Sequence, residues 1–315
     1  MRRTLLVIGL WTAGLGFAWS AEAPARPAAT TPANATTPTP AATEHYQFTV
    51  GATQVYAYSL KQSVTWSSAG DNLAYTSTLT WKFLLTVVEA TPERAVLEAI
   101  ILRVQATHDG PGSRRVIDSS IKDEQDGRDD PLLGHLLALH GSVLTVVVAP
   151  ATGVVSEVRG GDAIVARINK RSPAAVPGDP PPLDAAARAA FSSEALGRIW
   201  NQMLALPTAQ PTHVPLGPPL GGEIERTWQG AAFTLRLPTG KERLAATLVG
   251  DPTPVAAVLT ELTGQGTTSV KGGLPGTGKG DLTFLLTFQA LTQPVVQHHT
   301  LQWELSPLNA PVTPR

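Results

Sequence analysis

The chain has 315 residues, 43% of them hydrophobic, no cysteine, and a formal net charge of −1. This near-neutral balance excludes a nucleic-acid binder, which needs a strongly basic face, and gives no steering toward an anionic membrane surface. Without cysteine there is no disulfide framework, no thiolate metal site, no cysteine nucleophile and no lipidated cysteine of the bacterial lipoprotein kind.

Residues 1–23 read as a secretory signal peptide. Arg2 and Arg3 form a positive start, an apolar run extends from Thr4 to Trp19, and Ala21-Glu22-Ala23 supplies a small-x-small cleavage site. The apolar run is shorter than the roughly 20 residues of a comfortable membrane span, and no later segment is a candidate. The mature chain is therefore expected to be exported, periplasmic or extracellular, with no transmembrane segment. Cleavage removes two positive charges and one negative charge, taking the net charge from −1 to −2. Residues 24–44 are almost wholly Ala, Pro and Thr. Such a composition cannot bury enough apolar surface to order itself and reads as a disordered linker. Asn34-Ala35-Thr36 is a glycosylation sequon within it.

From residue 45 a period of two dominates. Tyr56, Tyr58, Leu60, Val64 and Trp66 share one parity, against Ser59, Lys61, Ser63 and Thr65. After a turn over Ser67 to Asn72, Leu73, Tyr75, Leu79, Trp81, Phe83, Leu85 and Val87 alternate with Thr76, Thr78, Thr80, Lys82 and Thr86. A strand over Ala95 to Ala106 is apolar on both parities, as a covered strand should be. A shorter strand follows over Arg114 to Ile121. Asp130-Pro131 then opens a short helix to His140, ended by Gly141. Ser142–Val148 and Val154–Val158 form a hairpin across Pro150 to Gly153, and a second short helix follows Asp162.

After a proline-rich connector, Ala185 to Leu206 carries Phe191, Leu196, Ile199, Trp200, Met203 and Leu204 at helical spacing. Phe191 before Ser192, with Leu196 beyond it, fits a hydrophobic staple around an N-cap. Strands return after Gly222, with Leu282, Phe284, Leu286 and Phe288 alternating, then Val295, His299, Leu301, Trp303 and Leu305.

The expected fold class is mainly β with helices (α+β): ten to twelve strands in long antiparallel meanders, forming a curved sheet or half-barrel covered by an amphipathic helix. The expected organisation is a β-meander with two short helices over 45–170, the connector over 171–183, the helix over 184–206, a second meander over 207–306 and a fraying tail over 307–315.

Local motifs for chemistry are absent or incomplete. Gly273 to Gly280 follows the phosphate-loop pattern up to Lys279, but Gly280 stands where a hydroxyl must bind magnesium, and a strand pattern follows instead of a helix. A flexible hairpin loop is the expectation. The acidic stretch Asp123, Glu124, Asp126, Asp129 and Asp130 around Gly127 would place Lys122 and Leu133 at obligatory calcium-ligand positions, so a solvated loop is expected. His298 and His299 point to opposite faces of a strand, His135 and His140 diverge on a helix, and there is no zinc helix or nucleophile elbow. No catalytic residue, metal or cofactor is assigned, and the chain is not expected to be an enzyme.

The suggestive constellation is apolar. Tyr56, Tyr58, Trp66, Tyr75, Trp81 and Phe83 share a sheet face, and a helix bearing Phe191, Leu196, Trp200 and Met203 is a ready cover. A curved sheet would make this a lidded cup for a lipid or another apolar small molecule. The alternative is solid packing of helix on sheet, leaving a tethered structural or protein-interaction domain with an envelope protein as partner and no small ligand.

Val50-Gly51 with Tyr56 and Tyr58, then Val116 to Ser120, Thr152 to Val155 with Gly160, Phe191 to Glu194, Leu216-Gly217 and Trp228 together resemble a family of exported bacterial proteins known only as a domain of unknown function. The likeness runs from about His45 to Leu305 and implies a β-rich exported domain without implying an activity. In outline the layout also resembles the half-barrel lipoprotein carriers of the bacterial envelope, which hold lipid between a curved sheet and helices. That is analogy of fold, which does not establish function.

Overall fold

The computed structural model describes residues 45–68, 71–121, 133–171, 184–216, 223–238, 242–248, 255–290 and 293–308. The signal peptide, the linker, the acidic stretch, residues 172–183 of the connector and residues 309–315 of the tail lie outside the described residues.

Among the described residues thirteen strands join in one open antiparallel sheet, slightly more than expected. In chain order they are β1 (Thr53–Ser68), β2 (Asp71–Ala90), β3 (Ala95–Gly110), β4 (Ser113–Asp118), β5 (Val143–Val148), β6 (Val155–Arg159), β7 (Thr212–Pro215), β8 (Glu223–Gln229), β9 (Ala232–Arg236), β10 (Arg243–Leu248), β11 (Val255–Lys271), β12 (Leu274–Ala290) and β13 (Gln293–Leu308). Across the sheet the order is β6-β5-β3-β2-β1-β13-β12-β11-β9-β8-β7, with β4 beside β3 and β10 beside β11. The two meanders are thus halves of one sheet, sewn together where the first strand lies antiparallel to the last, from Val55 opposite Leu308 to Ser67 opposite Val296.

The period of two is realised as read. Tyr58 pairs with Trp81 and Leu60 with Leu79 on the buried face, while Ser59 pairs with Thr80 on the other. Trp66 departs from the expectation of burial. Near the far end of the β1–β2 hairpin, opposite Leu73, it is only partly covered. Between Lys82 and Phe83 the pairing skips Leu102, a bulge that turns this leucine outward to 44% exposure.

A 3-10 helix spans Gly134–Leu139, shorter and tighter than the expected helix, and Gly141 ends it at φ +70°. Helix α1 is Gly161–Arg171. The single helix expected over 184–206 is two: α2 (Asp184–Ala190) and α3 (Ser193–Leu204). Ser192 breaks them apart. Its backbone is extended (φ −60°, ψ 155°) and its hydroxyl accepts from the Ala195 N–H at 3.1 Å. That is an N-cap, and Phe191 and Leu196, both buried, flank it as staple residues.

Helix α3 lies against the apolar face and also closes the sheet's first edge. The outermost strand there, β6, would expose unpaired backbone groups, an invitation to pair with another chain. The Val155 N–H donates to Asn201 Oδ1 at 2.7 Å, Asn201 Nδ2 donates to the Val155 carbonyl at 3.3 Å, and the Val158 N–H donates to Ser193 Oγ at 3.2 Å. Asn201→Ala orphans two buried backbone groups, so a stability loss of about 2 kcal/mol is expected. Urea unfolding measures it, and an unchanged midpoint would mean that β6 satisfies its edge some other way. At the opposite edge, β7 is only four residues long and ends in Pro215, a length and residue type that blunt pairing.

Candidate functional site

Eight of the ten residues expected to line an apolar cup are brought together in the core. Tyr56, Tyr58, Trp81, Phe83, Phe191, Leu196, Trp200 and Met203 are all buried in one core. Phe83 meets Trp200 edge-on with ring centroids 5.3 Å apart, Tyr56 stacks on Phe83 at 5.4 Å, and Tyr58 tilts against Trp81 at 5.9 Å. Trp66 sits at the margin of this core. Tyr75 is half-buried and stacks instead on His108, 6.0 Å away.

The tyrosine hydroxyls in this core are spent on the scaffold. Tyr46 OH donates to the Leu204 carbonyl, Tyr56 OH to the Pro275 carbonyl and Tyr58 OH to Gln202 Oε1, at 3.0, 2.8 and 3.1 Å. Burial pushes all three hydroxyls well above the ordinary phenol range, so they stay protonated near neutral pH, as the bonds that they donate require. Asp118, hydrogen-bonded by Arg103, Gln105 Nε2 and the Ser120 hydroxyl and N–H, is held well below the usual carboxylate range, the Arg103 bond being the largest cause. Among the described residues no three His, Cys, Asp or Glu side chains gather into a metal-binding group.

The phosphate-loop lookalike is not a loop. The turn is confined to Gly272 and Gly273, at φ +59° and +79°, and β12 begins at Leu274. The later glycines make room on the apolar face. A Cβ on Gly280 would stand 2.6 Å from Trp303 Nε1, and one on Gly278 3.1 Å from the same indole. The next strand repeats the device, since a Cβ on Gly266 would stand 2.4 Å from the Phe233 ring. Bulky rings lie on bare backbone here.

A cavity of about 960 Å³ opens nearby, and none of the ten expected residues lines it. Its side chains belong mainly to the opposite, polar face of six neighbouring strands. Ser59 and Lys61 come from β1, Gln302 and Glu304 from β13, Lys279 and Asp281 from β12, Gln265 and Thr267 from β11, Thr234 and Arg236 from β9, and Thr227 and Gln229 from β8. Ladder pairing fixes this shared face: Lys61 is opposite Gln302, Asp281 opposite Gln302 and Gln265, and Thr234 opposite Gln265 and Thr227. On the apolar side, Arg226 is buried with its guanidinium 4.8 Å from the Phe233 ring centroid and 5.7 Å from that of Trp228. Burial pushes its pKa down to about 10. In the sequence only Ser59 and Lys61 stand out as the wet parity of a strand and Lys279 as part of the phosphate-loop lookalike; the other polar residues of this face carry no local signal. What gathers them is the pairing of β1 with β13, for which no local pattern speaks.

No family model matches the chain, and no curated protein matches it. Among solved structures, lipovitellin, from a structure of its lipid–protein interactions, is similar over 85% of this chain and 26% of its own, with a TM-score of 0.40 and 11% identity. The chain thus spans about a quarter of that protein's length. DynF of the dynemicin biosynthesis pathway of Micromonospora chersina is similar over 86% of this chain and 88% of its own (TM-score 0.21, 8% identity). An outer membrane channel from Pseudomonas putida F1 is similar over 84% and 98% (TM-score 0.22, 10% identity). None of the three reaches the level of a common fold. No described helix is long and apolar enough to cross a membrane.

Proposed function

We propose that this chain is an exported, tethered interaction domain of the bacterial envelope, not an enzyme, and that its apolar face is a filled core instead of a lipid cup. One observation carries the reading. Trp200, the largest side chain on the α3 stripe, is 1% exposed and packed edge-on against Phe83, where a lidded cup would leave room for a ligand. The finer shape, a sheet bent into a half-barrel around α3, belongs to the same proposal, as does kinship with the exported family of unknown function.

Native mass spectrometry of the mature protein after mild purification tests the reading. The expected result is the bare polypeptide mass. A co-purifying lipid adduct, lost when Trp200 is replaced by a polar side chain, would restore the lidded cup as the better account.

A further inference from the structure

We infer that the polar trough across β8, β9, β11, β12, β13 and β1 is a binding site for an uncharged, hydroxyl-rich oligomer, that is, a neutral glycan chain. The inference deepens the interaction-domain reading by naming the chemistry of the partner. It rests on the polar face of the sheet, whereas that reading rests on the apolar one.

The charges come first. Lys61, Arg236 and Lys279 face Asp281 and Glu304 in the same trough. Three cations and two carboxylates interspersed make no field of one sign. A polyanion such as nucleic acid or a sulfated polymer would meet two carboxylates among the three cations, and a polycation three cations against the two carboxylates, so attraction and repulsion nearly cancel for either. An acyl chain would strip water from these groups and give no hydrogen bond in return.

What remains is a ligand whose every group both donates and accepts. Gln229, Gln265 and Gln302 each carry donor and acceptor at one tip, and Ser59, Thr227, Thr234 and Thr267 add hydroxyls. Among the described residues, no hydrogen bond or ion pair engages the side chains of Lys61, Gln265, Lys279, Asp281 or Gln302. Their bonding capacity is therefore unspent within the protein.

An extended peptide is the nearest rival, and the topology disfavours it. Peptides dock on sheets chiefly by adding a strand to a free edge. All six strands here are interior, each paired on both sides, so their backbone groups are consumed by the ladder. Recognition from this face must come from side chains, as glycan recognition does. Five strand spacings of ~4.8 Å give the trough a length of roughly 24 Å, which suits an oligomer better than a single sugar. Ala232, opposite Thr267 and Gln229 on the same face, adds an apolar spot for sugar C–H groups.

Calorimetric titration of the mature protein decides it. The probes are soluble neutral oligosaccharides (β-1,4-linked glucose, β-1,4-linked N-acetylglucosamine and α-linked mannose oligomers), with dextran sulfate, a Pro/Thr-rich peptide and lauric acid as comparisons. The expected result is saturable binding of at least one neutral oligosaccharide, insensitive to added salt, weakened about tenfold by Gln265→Ala or Asp281→Ala with the melting temperature unchanged, and untouched by Val116→Ala on an exposed strand face distant in the sheet. Binding confined to dextran sulfate and lost in salt, binding confined to the peptide, or no saturable signal from any neutral oligosaccharide would overturn the inference. A lipid adduct in the native mass with oligosaccharide binding intact would strike the filled-core reading alone.

Discussion

Trp81→Ala is expected to cost about 3–5 kcal/mol of unfolding free energy, while Thr80→Ala, one residue along the same strand, should change it by no more than about 0.5 kcal/mol. The contrast follows from parity. Trp81 is 1% exposed, paired across the ladder with Tyr58 and Val104 in the core, whereas Thr80 lies on the other face opposite Ser59 and Gln105. Removing the indole leaves a cavity between rigid strands that cannot close on it. Trp81→Phe separates packing from polarity. The Trp81 Nε1–H is buried without an acceptor among the described residues, so the phenyl ring keeps most of the contact and discards an unsatisfied donor. Its cost should be well under half that of alanine. Urea unfolding monitored by circular dichroism gives all three values, and equal midpoints for Trp81→Ala and Thr80→Ala would contradict the register.

That parity was readable from residues alone because each long strand of the meander has one wet face and one dry face. The same is true of β13, where His298 is exposed and His299 is 1% exposed, as adjacent strand residues must alternate. The helix break was also encoded: Phe191, Ser192 and Leu196 carry a staple and cap, and a cap in mid-stripe is a terminus. Reading the apolar stripe as continuous overrode that local signal. Three features were not readable. The pairing of β1 with β13 joins residues more than 200 positions apart, through backbone bonds that leave no side-chain pattern. The glycines of β12 look like a loop until Trp303 is seen lying over Gly278 and Gly280; only the partner strand explains them. The trough is assembled from residues that are unremarkable singly, since a Thr or Gln on a wet parity carries no sign of what stands beside it.

Mild acid is expected to destabilise the protein through one buried ring. His299 stacks on Phe284, centroids 4.6 Å apart and planes within 6°, with Nε2 bonded to Gln297 Oε1 at 3.0 Å. Its cross-strand neighbours are Val64 on β1 and Phe284 on β12, neither able to accept a proton or balance a charge. Nδ1 is buried with no partner among the described residues. Burial is the main reason that its pKa is pushed down to about 3, with the neighbouring His298 adding to it. The unfolded chain binds this proton at about pH 6.5 and the folded one only far below, so the unfolded state holds more protons throughout the interval. Stability is then full above about pH 6.5 and drains as the pH falls toward 3. Between pH 6.5 and 4 the loss should approach about 3 kcal/mol, at about 1.4 kcal/mol per pH unit. Asp118 acts in a different window. Its folded pKa is depressed, so its contribution is complete above the ordinary carboxylate range near pH 4 and is lost only below it. His299→Phe keeps the aromatic stack and removes the titrating group, so its unfolding free energy should be nearly flat from pH 7 to pH 4.5 while still falling at lower pH. A variant that loses stability as steeply as the wild type over that upper interval would place the proton elsewhere.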